Sequence, residues 1–442
     1  MNAVLLAVAL MLGLSLARIH VVIALLLSAV AGGLVGGLDL KATLTAFNNG
    51  LGGGAGVALS YALLGAFALA LAESGLPHAL ADFLEKRLAA APGRNAGRIK
   101  WAILGALLLL AISSQNLLPI HIAFIPLVVP PLLHTLAGLK VDRRLVACLL
   151  TFGLITPYMW FPVGFGEIFL KQILLGNVEK AGLGADVIAR LDISGIMTIP
   201  ALGMLAGLLL AVFVSYRRPR RYDLAAIDAV ERESVAYTRR SLTVAGLAVA
   251  ATFAVQIWAD SMLLGALAGF ALCVAGGAVP LKRADTVFAD GMRMMATIGL
   301  IMIAAAGFAE VMKATGHVAS LVENSVQLVS GSKALGALLM LVVGLIVTLG
   351  IGSSFSTVPI IATLYVPFAL QLGFSPAAVV CLVGTAGALG DAGSPASDST
   401  LGPTAGLNVD GQHDHMWDTV VPTFLHYNLP VLAAGWIAAM VL

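Results

Sequence analysis

Charge is what this chain has least of. Of its 442 residues, only 11% are Asp, Glu, Lys or Arg, against 60% hydrophobic, and the mean hydropathy is +0.99. Soluble domains carry roughly a quarter charged residues, so a water-facing globule cannot be built from this composition. Cysteine is also scarce. Cys148, Cys273 and Cys381 all fall in apolar stretches, which excludes a disulfide framework and a zinc site. No basic run carries interleaved aromatics, which excludes nucleic acid as a partner. The glycine run Gly52-Gly53-Gly54-Ala55-Gly56 lacks the Lys-Ser or Lys-Thr of a phosphate loop and reads as a place for close helix packing. Apolar runs of roughly 17–25 residues are abundant instead, each long enough to cross the hydrocarbon core. Backbone amides cannot go unpaired in lipid, so the expected fold is an all-α polytopic membrane protein. The run from Asn2 to Leu16 lacks a charged n-region and a clear cleavage site and reads as a retained helix.

One motif is written twice. Ser113-Ser114-Gln115-Asn116-Leu117-Leu118-Pro119-Ile120 returns as Ser353-Ser354-Phe355-Ser356-Thr357-Val358-Pro359-Ile360. Further pairs keep nearly the same offset: Leu40-Lys41 with Leu281-Lys282, Thr45 with Thr286, Gly50 with Gly291, Phe67-Ala68 with Phe308-Ala309. Single identities in an Ala/Leu/Gly-rich chain are cheap, but a constant offset is not. The reading is a duplication, with repeats over 1–215 and 241–442 and a basic linker over 216–240. Cytoplasmic loops keep Lys and Arg. With 86–100, 140–144 and the linker all inside, the apolar block 101–138 must enter and leave from one side, as a re-entrant hairpin. Spans near 1–17, 20–38, 56–76, 143–175 and 194–215 complete the first repeat. Those near 241–258, 262–280, 293–312, 375–407 and 418–442, with a second hairpin at 333–373, complete the other. Five crossings per repeat invert the second copy, giving about 10 transmembrane helices and placing both termini outside. Residues 77–97 read as an interfacial helix.

Polar residues that interrupt hydrocarbon at matching places point to a transporter's midplane site. Ser113, Ser114, Gln115 and Asn116, with Ser353, Ser354, Ser356 and Thr357, put hydroxyls and amides at the hairpin tips, where helix-end dipoles also converge. The span after each hairpin is broken too. Thr156-Pro157-Tyr158 and Phe161-Pro162-Val163-Gly164-Phe165-Gly166-Glu167 interrupt the first, and Gly390-Asp391 through Ser399-Thr400 interrupts the second. Intramembrane carboxylates are costly and default to ion or substrate roles. Asp391 and Asp398, with Ser399, Thr156 and Glu167, are therefore the expected ligands of the coupling Na⁺ or H⁺. Ser394, His121, His426 and Asn428 complete the candidate substrate set. Glu73 and Glu310 fall toward span ends, and His413-Asp414-His415 reads as a solvated loop. An intramembrane aspartyl protease would need Gly-x-Gly-Asp, and Ala388-Leu389-Gly390-Asp391 lacks its first glycine, so no enzyme is expected.

Two hydroxyl-tipped hairpins, each followed by a broken helix, resemble the ion transporter superfamily. The 390–400 segment and Ser113-Ser114-Gln115-Asn116 look most like its NhaC-related group of sodium/proton antiporters, with a YuiF-like branch associated with amino acids, histidine among them. The resemblance implies a homodimer in a bacterial inner membrane, with hairpins and broken helices moving against a scaffold. It implies a secondary transporter of a small polar solute, an amino acid by preference, coupled to Na⁺ or H⁺ and using no cofactor. The alternative it implies is a Na⁺/H⁺ antiporter without organic cargo. One departure matters. The Ser-Asn-Thr tips of dicarboxylate carriers are absent, and anionic 391 and 398 suit a positive group or bare cation better than a dianion.

Overall fold

The computed structural model describes residues 2–17, 19–76, 79, 96–116, 125–230, 237–259, 261–317, 320 and 331–442. Among these the regular structure is entirely helical. The first half holds α1 (Ala3–Leu16), α2 (Val21–Val35), α3 (Leu40–Glu73), α4 (Ala96–Asn116), α5 (Ile125–Gly138), α6 (Arg143–Trp160), α7 (Phe165–Lys180) and α8 (Ile193–Ser215). A short linker helix, α9 (Leu224–Val230), follows. The second half holds α10 (Arg239–Ala259), α11 (Met262–Ala275), α12 (Ala284–Ala314), α13 (Lys333–Ile351), α14 (Ser354–Gln371), α15 (Pro376–Ala388), α16 (Asp398–Leu407) and α17 (His415–Val441). Six of the described helices are long and apolar enough to cross a membrane, or seven if the pair α6 and α7, bent by 53°, is one broken span. Several others, such as α2, α11 and α15, are apolar but shorter.

The helices start where short polar side chains can satisfy the free amides of a first turn. Asn2, Asp39, Asp142, Ser261, Ser332, Ser375 and Ser397 each accept from an amide in the turn they cap. The glycine run finds its use in packing. Gly50 and Gly54 of α3 lie against the backbone of α12 at Ala306 and Met302, and Gly65 lies against Gly291, so the two helices run antiparallel in close contact. Side chains larger than hydrogen would push them apart. Gly50 and Gly291, the pair matched in the sequence, each meet the other helix at Ala306 and at Gly65–Ala66, which are related by the same offset. Such reciprocal contact is what a two-fold relation between two surfaces produces.

α13 and α14 fold back on each other. Lys333 at the start of α13 donates to the carbonyl of Gly373, just past the end of α14, and Tyr365 donates to Met340 midway at 2.8 Å. Their junction is Gly352, in the left-handed region at φ 73, followed by Ser353. α13 has 19 residues, a rise of about 28 Å, closer to a full membrane thickness than to a half-length arm. In the first half, α4 and α5 occupy the corresponding stretch, and the residues joining them lie outside the described set, as do His121 and most of the expected interfacial helix.

The linker is bound into the fold. Arg143, 1% exposed, donates to both carboxylate oxygens of Asp410 at 2.6 Å and to the Leu407 carbonyl at 2.9 Å. Its guanidinium lies over the Tyr222 ring, whose hydroxyl accepts the Arg143 amide at 2.8 Å. Arg220 pairs with Asp418 at 2.8 Å, and Asp223 exchanges hydrogen bonds with Gln412. The acidic loop after α16, the start of α6 and the basic linker therefore share one end of the molecule. His413 and His415 correct the expectation of a solvated loop. His413 is 1% exposed with Nε2 against Thr419 Oγ1 at 2.7 Å, and burial pushes its pKa down to about 3. His415 is half-buried, with Nδ1 at 2.8 Å from Thr404 Oγ1 and Nε2 at 2.9 Å from the Pro395 carbonyl. The imidazoles are spent on packing this corner.

Candidate functional site

The break between α15 and α16 exposes backbone groups that hydrocarbon could not satisfy, and side chains from three helices, α6, α16 and α17, take them up. Gly390 turns the chain at φ 90, where a Cβ would press on the Leu345 carbonyl and the Leu349 amide of α13. Its own amide donates to Asn428 Oδ1 at 2.8 Å. Ser394 donates to the Leu349 carbonyl at 2.9 Å, Thr400 to the Ser394 carbonyl at 2.6 Å, and Thr151 of α6 to the Ser399 carbonyl at 2.9 Å. The break is thus a braced turn and not a loose loop.

Asp391 sits in its centre, 5% exposed. The carboxylate accepts from Tyr158 of α6 at 2.6 Å, from Ser354 at the α14 tip at 2.9 Å, and from Ser397 in its own segment. Tyr158 and Ser354 also lie 2.9 Å apart. These three groups make a triangle with three edges, yet two hydroxyls carry only two protons. With Asp391 ionised, one edge lacks a hydrogen. A proton on the carboxyl completes the set, and a cation against the hydroxyl lone pairs would relieve the same shortfall. Buried charge is costly without such compensation. Beside the triangle lies a cavity of ≈ 50 Å³, lined among others by Gly352, Ser353, Ser354, Phe355, Tyr158, Phe165, Met302, Asp391, Asp398 and Ser399. At about 10–15 Å³ per water, it has room for a few waters or a partly hydrated cation.

The structure brings together only part of the expected set. Ser353, Ser354, Asp391, Asp398 and Ser399 share the cavity. Ser394 and Asn428 are buried braces of the break and do not line it. Thr357 is buried with its hydroxyl returned to the Ser353 carbonyl at 3.0 Å, and the Ser356 side chain lies outside the described set. Two residues fall elsewhere. Glu167 is exposed and pairs with Lys171 at 3.0 Å, because Phe165 and Phe169, one turn apart, give the site-facing side of α7 to the Tyr158 ring and leave Glu167 on the other side. His426 reaches Ser215 at 2.7 Å and lies tilted against the Tyr216 ring at the linker end of α8. Neither belongs to the Asp391 cluster. Near the first tip, Ser114 is buried and donates to the Ala111 carbonyl at 2.7 Å, and Ser113 is half-buried. The Gln115 and Asn116 side chains lie outside the described set. Thr156 is buried on α6, one turn beyond Gly153, which packs on Ala111, and among the described residues its hydroxyl finds no partner.

Tyr158 and Ser397 are the polar contacts that the candidate set missed. A tyrosine following Pro157 in an apolar span was a signal, since a buried phenol needs a partner.

Two sequence-family models match the chain. One, described as the Na⁺/H⁺ antiporter family, covers residues 149–436, and another, the Na⁺-H⁺ antiporter family, covers residues 2–88. An uncharacterized membrane protein of Vibrio parahaemolyticus is 55% identical over 443 residues, covering 100% of both chains. The putative amino acid transporter YuiF of Bacillus subtilis is 50% identical over 449 residues, again covering 100% of both. Among solved structures, MtrF of Neisseria gonorrhoeae, from a class of antimetabolite efflux pumps, aligns at a TM-score of 0.41 and 16% identity over 90% of this chain and 84% of that one. On the family models and the full-length relatives, the chain belongs to the Na⁺/H⁺ antiporter family and is an integral membrane transporter.

Proposed function

We propose that this transporter is a secondary carrier that moves a small polar solute, an amino acid such as histidine, together with Na⁺ or H⁺, and that Asp391 is the group that gains and loses the coupling cation. One observation carries the reading: a buried carboxylate held by hydroxyls from α6, the α14 tip and the broken segment, one proton short of a complete hydrogen-bond set. Because these donors come from three elements, any relative movement of hairpin and broken helices changes the affinity of Asp391 for its ion. Binding and conformation are thereby linked. The working arrangement is two inverted repeats in a homodimer of a bacterial inner membrane, with α13, α14 and the broken helices as the moving part. The reciprocal glycine contacts of α3 and α12 support the repeat. The name of the YuiF relative supports the amino acid cargo.

A second reading is Na⁺/H⁺ exchange with no organic cargo. The ≈ 50 Å³ cavity favours it, being cation-sized in this conformation. Purified protein in proteoliposomes separates the two. Sodium- or pH-driven accumulation of labelled amino acids supports symport. Quenching of a ΔpH dye on adding Na⁺, with no amino acid uptake, supports exchange alone.

A further inference from the structure

The cavity beside Asp391 is lined by two unlike sets of side chains. Asp391, Asp398, Ser354 and Ser399 carry oxygen, and Tyr158, Phe165 and Phe355 carry rings. Phe355 lies 4.6 Å from Phe165 and 6.0 Å from Tyr158 between ring centroids, and Tyr158 meets Phe165 edge-on at 5.9 Å. Phe169 backs the group at 4.9 Å from Tyr158 and 5.4 Å from Phe355, fully buried. Phe165 and Phe355 are not: both keep part of their surface accessible and both line the cavity. The two copies of the tip motif also diverge at this point, with Phe355 where the first has Gln115.

An inorganic ion gains little from such rings. Na⁺ needs lone pairs, and a phenyl ring has none to give. A ring face does attract the protonated nitrogen of an organic molecule, most strongly where water is excluded. Carboxylates and aromatic rings around one cavity are therefore the lining expected for an organic ammonium. Resting on the amino acid reading above, we propose that Phe355, Phe165 and Tyr158, together with Asp398, form the subsite for the protonated nitrogen of the cargo. The coupling ion stays at the oxygen-rich Asp391 side. The ≈ 50 Å³ space suits the nitrogen and its first carbons. The remainder of the cargo would extend toward Phe161 and Val163, exposed in the turn just before Phe165.

Uptake by the full chain in proteoliposomes tests this, using a panel of labelled amino acids and, as competitors, the same carbon frames lacking the nitrogen. The deamino analogues should fail to compete. Phe355→Leu, which keeps apolar bulk but removes the ring, should raise the cargo KM about tenfold, and Phe355→Trp should keep it near the parent value. Fluorinated phenylalanine at 355 preserves shape and weakens the ring face, so KM should climb with each fluorine. If Phe355→Leu and the fluorinated series bind amino acids as the parent does, or if deamino analogues compete equally, the subsite is wrong while amino acid transport stands. If the parent chain takes up no amino acid yet exchanges Na⁺ for H⁺, the proposed function falls and the subsite with it.

Discussion

The two broken helices are built alike and equipped differently. In the first, α6 ends at Trp160, four residues turn the chain, and α7 continues at 53°. In the second, α15 ends at Ala388 and α16 resumes at Asp398 after a longer turn. The first break is apolar and aromatic, and its one carboxylate, Glu167, faces outward in an exposed ion pair. The second holds Asp391 buried among hydroxyls. A break in an apolar span leaves backbone groups to be satisfied in either case, but only the second break holds a carboxylate buried among hydroxyls. The first contributes Tyr158 and its neighbouring rings.

The contrast is sharpest at the two carboxylates. Asp391→Asn should abolish ion-coupled transport, read as loss of Na⁺- and pH-dependent uptake or exchange in proteoliposomes. Normal, ion-dependent transport by this variant would end the assignment. The two breaks are also tied at one end, since Arg143 begins α6 and Asp410 follows α16. Arg143→Met leaves Asp410 buried without its partner and should destabilise the protein by about 3–5 kcal/mol in thermal unfolding, with Asp410→Leu on the same chain recovering much of the loss. Next comes the phenol that joins the breaks. Tyr158→Phe removes one charge-assisted hydrogen bond, about 1.5–3 kcal/mol, and should displace the pH profile of transport as well as slow it. A lower rate with an unmoved profile would make Tyr158 a packing residue only.

Smaller effects mark the periphery. His413 is held neutral in the fold, with its pKa down at about 3, against roughly 6.5 in the unfolded chain. Between those values the unfolded state binds the extra proton, so stability falls as pH drops from 6.5 toward 3. His413→Gln should flatten that acid limb of the Tm-against-pH curve. Glu167→Gln should change stability by under about 0.5 kcal/mol, as exposed pairs do, and leave transport intact. A large transport defect there would put an ion role back in the first break.

Much of the architecture was legible because lipid imposes strict rules. Helix character followed from apolar run length, and the broken spans from Pro157, Pro162 and the Gly390–Pro395 cluster. Asp391, Ser354 and Ser399 stood out as polar residues where hydrocarbon was expected. Less legible was direction. Glu167 and Asp391 look equivalent in a sequence of interrupted spans, and nothing local tells which side of a 53° bend a carboxylate takes. His426-Tyr427-Asn428 shows the same limit. Three consecutive polar residues serve three ends, as His426 faces Ser215, Tyr427 donates to the Cys148 carbonyl, and Asn428 braces Gly390. Arg143 and Asp410 gave no sign of pairing, being far apart in sequence and each ordinary beside its neighbours.

Composition and periodicity alone determined that this chain lives in a bilayer, as helices whose apolar runs are interrupted by polar segments. Those properties arise from transfer of apolar surface and from local backbone hydrogen bonding, which act residue by residue. Only the tertiary structure decided which interruption holds the charge, which phenol touches it, and that rings from the first half close the chamber of the second. Such choices depend on how helices distant in sequence pack against one another, and that packing is a property of the whole chain.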